Sequence, residues 1–166
     1  MKKIRSYYII GYLFTAAAGT LFHFVYDWTG QGAVAALFFP VNESTWEHMK
    51  LVFFPMLLYT FLTRSKINRN FPAAPAALLL GGIIGTWTIP VLFYTYTGIL
   101  GRNFTAADIG VFFLALFAAF CTAWKLRESQ KVLQYRYLIF LLTAISAVLF
   151  FLFAFFPPGI GLFREP

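Results

Sequence analysis

Charge is scarce in this chain, and so are most features that mark a soluble enzyme. Only 11% of its 166 residues are charged, against about 25% in an ordinary soluble domain. There is one cysteine, Cys121, so an internal disulfide is excluded and a cysteine metal cluster lacks ligands. Cys121 lies in the apolar run VFFLALFAAFCTAW and reads as a small packing residue. No internal repeat is visible, no polar block is long enough to fold by itself, and no HExxH metal signature is present. Acidic residues number six and histidines two. Any ionic site must therefore draw on very few side chains.

In place of charge the chain has long apolar blocks. It is 60% hydrophobic and 21% aromatic, which places it in the membrane class. Five blocks, at about 7–28, 44–63, 73–97, 106–124 and 137–156, predict an all-α integral membrane protein. The expectation is one domain over residues 1–166, a compact bundle of about five transmembrane helices. Ala16-Ala17-Ala18 after a basic start imitates a signal-peptide cleavage site. Apolar sequence continues beyond it to Tyr26 and Trp28, however, which suits an interfacial anchor at the end of a first transmembrane helix. Residues 33–39 are apolar but too short to span, so they lie in the interface or dip in and return under a protein cover. Pro55 and Pro90 fall inside helices and should kink them or free carbonyls. Thr86, Trp87 and Thr88 beside Pro90 line a cavity or serve the helix itself. Asp108 suits the start of the fourth helix. The Phe-rich fifth helix faces lipid. Ala16, Gly19 and Thr20, and Gly81, Gly82 and Gly85, form small-residue faces for close packing, within the chain or in a homo-oligomer.

The charges fall on one side of this plan. With the N-terminus inside, Lys2, Lys3, Arg5, Arg64, Lys66, Arg69, Lys125, Arg127, Lys131 and Arg136 are all inner, ten of the thirteen basic residues. That is the expected cytoplasmic bias, and it predicts a multi-pass protein of the cell membrane with its C-terminus outside. The net charge of +7 is then topological. The partner is the lipid bilayer and not nucleic acid.

Polar chemistry is concentrated in PVNESTWEHMKLVFFP, residues 40–55. Asn42 or Ser44 can cap the second helix, and Ser44-Thr45-Trp46-Glu47 fits a capping box. His23 and Asp27 are four apart near the outer end of the first helix, as are Glu43 and Glu47, and Ser44 and His48. Two helices joined by a short connection are usually neighbours. The expected outer pocket therefore draws on His23, Asp27, Asn42, Glu43, Ser44, Glu47 and His48. Two imidazoles with carboxylates suit a divalent metal such as zinc, with His23, Asp27 and His48 as candidate ligands. The pocket would bind or transport a cation, a small solute or a lipid head group. The alternative is a zinc-dependent intramembrane hydrolase of a lipid amide or ester, with a spare glutamate as base. A third reading has no pocket: Glu47 closes the capping box, Asp27 pairs with Lys50, and the histidines are interfacial hydrogen-bonders beside Trp28 and Trp46.

The PVNES-x-WEH-x-K block, with His23-Phe24-x-Tyr26-Asp27-Trp28 upstream and the FFPP…LF tail from Phe155 to Phe163, resembles a family of small bacterial multi-pass membrane proteins catalogued as a domain of unknown function. The resemblance covers most of the chain and implies no particular activity. A second likeness, of Asn42-Glu43 with Trp46 and His48, is to the superfamily of alkaline ceramidases and progestin/adiponectin-type receptors, which implies an intramembrane zinc hydrolase. That superfamily has seven helices and a later pair of histidines, and this chain has no counterpart to the pair after His48.

Overall fold

A computed structural model describes residues 2–166, with side chains from Ile4 onward. Its long elements are α1 (Lys2–Trp28), α3 (Thr45–Asn68), α4 (Ala74–Leu100), α5 (Thr105–Leu126) and α7 (Arg136–Phe155). Short helices α2 (Ala33–Phe38) and α6 (Gln130–Gln134) lie in the connections, and a 3₁₀ turn at Gly161–Phe163 ends the ordered tail. No strand occurs among the described residues, and the architecture is an all-helical bundle. The side chains of Lys2 and Lys3, counted among the inner basic residues, lie outside the described residues.

Among the described residues, four helices are long and apolar enough to cross a membrane: α1 from Ile4, α4, α5 and α7. Their outward faces carry Ile10, Leu13, Val91, Phe117, Leu141 and Val148, all more than half exposed, a surface that water solvates poorly. The fold is that of a membrane protein. Expected as the second span, α3 has the length but carries Glu47, Lys50, Arg64 and Lys66, and it is not among the four. It is instead the most enclosed long helix. Fourteen of its residues are buried, against three in α7, so α3 is an axis and α7 an outer wall.

Glycines set how closely the helices approach one another. A Cβ on Gly81 would lie 2.4 Å from Ala119 O, and one on Gly85 would lie 2.7 Å from Ala119 Cβ and 2.8 Å from Ala115 O. The Gly stripe of α4 thus seats on the Ala115–Ala119–Ala123 stripe of α5. In α3, Pro55 lacks the N–H that would bond Leu51 O. Gly19 of α1 lies against that same carbonyl, where a Cβ would come within 2.5 Å. The small-residue faces are thus used inside the chain.

Arg64 and Lys66 belong to the last turns of α3 and not to a loop, where cations suit the helix dipole. At the turn between α4 and α5, Tyr96 OH donates to the Asp108 carboxylate and accepts from Phe104 N at 3.3 Å. Asp108 is therefore both a first-turn acid of α5 and a fastener of that turn. Of residues 86–88, Thr88 Oγ1 donates back to Ile84 O at 2.8 Å, Trp87 is half exposed, and Thr86 is buried with no protein partner for its hydroxyl.

Candidate metal centre

The segment between α2 and α3 is built by local hydrogen bonds. Asn42 Oδ1 accepts from Ser44 N at 3.0 Å, a side-chain turn that Asn favours. Ser44 is the N-cap of α3, its Oγ accepting from Glu47 N at 3.4 Å. The expected reciprocal half of the capping box is absent, because Ser44 N is already taken by Asn42. Glu47 turns the other way. Its Oε2 accepts from Val41 N at 2.9 Å and from Lys50 Nζ at 2.7 Å.

Lys50 is fully buried and has three acceptors: Glu47, Ala36 O at 2.8 Å and Phe39 O at 3.5 Å. The two carbonyls belong to the C-terminal end of α2, which a cation stabilises. Glu47 and Lys50 therefore tie α2 to α3, and all three ammonium donors are satisfied. Glu47, expected in the outer pocket, is not there. Trp46 is also inward. Its ring packs on Phe150, Phe153 and Phe163 at centroid distances of 4.7, 5.4 and 4.9 Å. This contact joins the start of α3 to α7 and to the tail.

Asn42 and Glu47 leave Glu43 at the outside of the turn, with its side chain 63% exposed. There it meets both histidines. His48 Nε2 is 3.2 Å from Glu43 Oε2, and His23 Nε2 is 3.7 Å from Glu43 Oε1. The two imidazoles lie nearly parallel, with centroids 5.5 Å apart. One ligand atom from each of the three residues lies within 4.8 Å of the others. Asp27, expected as a ligand, is outside the group: its carboxylate accepts from Gln31 Nε2 at 3.1 Å in the exposed turn after α1. The pairing of Asp27 with Lys50 does not occur either.

The tautomer of His48 follows from geometry. Its Nδ1 is 3.1 Å from Ser44 O. A carbonyl only accepts, so Nδ1 carries the proton, and the neutral ring presents a lone pair at Nε2. That lone pair faces a carboxylate oxygen, another acceptor. A second proton on His48 or a cation between the two atoms reconciles them. An Nδ1–H held by a backbone carbonyl is the usual support of a metal-bound histidine. Nothing in sequence spacing marked Glu43 above Asp27, because its position depends on the Asn42 turn.

Fold and site together define a helical membrane protein with a His₂Glu group at one end of its bundle. The chain belongs to the family of unknown function DUF6512, which matches residues 1–166. No curated protein and no solved structure matches it.

Proposed function

We propose that this is a multi-pass protein of the cell membrane that binds a divalent transition metal, zinc first, through His23, Glu43 and His48 at its outer face. The observation that carries the reading is the apposition of His48 Nε2 and Glu43 Oε2 at 3.2 Å with His48 Nδ1 engaged by Ser44 O. Neighbouring ligands at about 2.0–2.1 Å from a tetrahedral zinc stand about 3.4 Å apart; His48 Nε2 and Glu43 Oε2, at 3.2 Å, are near that value, His23 Nε2 stands 3.7 Å from the other carboxylate oxygen, and one ligand atom from each residue lies within 4.8 Å of the others. Three protein ligands leave one position for water or an external ligand.

Binding is favoured over hydrolysis because, among the described residues, the acids that could act as base have other partners: Glu47 is held by Lys50 and Asp27 by Gln31. It is favoured over conduction because Glu47 and Lys50, which flank His48 on α3, close on each other as a buried ion pair. The bias of Lys and Arg toward one side supports an N-terminus in the cytoplasm. Lipid covers most of the remaining surface. The reading is of one chain, since its small-residue faces meet its own helices.

Metal analysis of protein purified without chelator tests the site. One zinc per chain is expected in the native protein and in Asp27→Ala, and none in His23→Ala, Glu43→Ala or His48→Ala. A metal-free native protein, or equal loss in Asp27→Ala, overturns the site. Cysteine labelling of whole cells tests the orientation. Gly159→Cys should react from outside and Ser65→Cys should not; the reverse pattern inverts the topology.

A further inference from the structure

At the opposite end of the bundle, the N-terminal turns of α1 and the end of α3 enclose a second cleft. Ile4 and Ile67 are buried at its base, Tyr7 and Phe71 are half-buried, and Lys66 and Arg69 are exposed at its edge. Its volume of about 620 Å³ falls within the roughly 300–1,000 Å³ of small-ligand sites. Neither Lys66 nor Arg69 forms an ion pair among the described residues. The one acid expected on this side, Glu128, is taken by Arg127 at 3.0 Å.

Two unneutralised cations above an apolar, aromatic base make an amphipathic site at the depth where a span leaves the membrane. A phosphodiester at the edge would meet both cations, and the glycerol and first methylenes would cover the apolar base. We infer that this cleft binds the head group of an anionic phospholipid of the leaflet on the Lys66–Arg69 side. Charge complementarity argues for an anionic lipid over a zwitterionic one, because a choline cation would be repelled from the same edge. The apolar base argues for lipid over free phosphate, which has nothing to place there.

Native mass spectrometry of the detergent-solubilised full chain, titrated with phosphatidylglycerol or phosphatidylcholine, tests the inference. Phosphatidylglycerol should be retained in preference. Its retention should fall about thirtyfold in the Lys66→Gln/Arg69→Gln double variant, which loses two surface charges. Arg102→Gln, a basic residue of the opposite end, should retain it as the native chain does. Both edge residues are exposed, and circular dichroism checks that helix content is kept. A second variant, Tyr7→Ala, should weaken phosphatidylglycerol without restoring phosphatidylcholine. Equal retention of the two lipids, an unaffected double variant, or an equal loss in Arg102→Gln overturns the assignment. Displacement of the lipid by millimolar inorganic phosphate overturns it in favour of a free-anion site.

Discussion

Two carboxylates of one short segment, Glu43 and Glu47, sit in opposite arrangements. Glu47 and Lys50 are buried, with the ammonium satisfied three times over and the carboxylate also holding a backbone amide. Glu43 with His23 and His48 is partly exposed, and two acceptor atoms face each other across a short gap. The first arrangement is closed and has no valence left for a ligand. The second is open and gains from one. Similar residue types, a few positions apart, thus do architecture in one case and present a site in the other. Satisfied hydrogen-bonding capacity separates them.

The largest effect should come from opening the closed pair. Lys50→Ala leaves a buried carboxylate and two α2 carbonyls without their cation, and should cost about 3–5 kcal/mol in denaturant unfolding in micelles. Glu47→Gln/Lys50→Met, which removes both charges, should recover a large part of that loss. A single-variant cost below about 1 kcal/mol would mean that the pair is not the tie between α2 and α3.

Next comes the open group. His48→Ala should weaken zinc by at least about a hundredfold while changing metal-free stability by no more than about 1 kcal/mol. Protons compete with the metal for the same lone pairs, so zinc affinity should fall as pH falls. The stability that zinc adds should fall with it, being largest at higher pH. Calorimetric titration at several pH values should show a shallower dependence in His23→Ala, which has one imidazole fewer to deprotonate. An unchanged slope would remove His23 from the site.

Ser44→Ala touches both arrangements and should distinguish them. Losing the N-cap oxygen should cost about 1 kcal/mol of stability. Zinc affinity should stay within a few fold, because the His48 contact uses the Ser44 backbone carbonyl. The smallest effect is expected of Asp27→Asn, which alters one exposed contact with Gln31: within about 0.5 kcal/mol in stability, with no loss of zinc. A loss of zinc there would move the site toward α1 and blur the contrast.

Much of this was legible in the chain itself. The apolar blocks located the long helices, Ser44 announced the cap of α3, and Gly81 and Gly85 announced a close helix contact. The pairing of acids with cations was harder to read. Glu47 and Lys50 stand at i, i+3, a helix-neighbour spacing visible in sequence, but the carbonyls that complete the site come from α2. Glu43 replaces Asp27 because an Asn42 turn, and not helical periodicity, aims it. Trp46 looked like an interfacial residue until the tail brought Phe163 onto it. In each case the missing information was a long-range or loop contact, which periodicity does not encode.

The enclosure of α3 bears on how the protein enters its membrane. Glu47 and Lys50 lie in the first two turns of α3, where a charge costs less on insertion than the about 2.5–3.5 kcal/mol it costs at a helix centre, yet α3 still falls short of the apolarity of the other long helices. Alone at the translocon, it is a reluctant segment. The partners of Lys50, at Ala36 and Phe39, emerge from the ribosome before it, and the close-packing surface at Gly82 emerges after it. Helix α3 is therefore expected to insert in company, with α2 before it and α4 after it, as part of a cooperative hairpin instead of an independent segment.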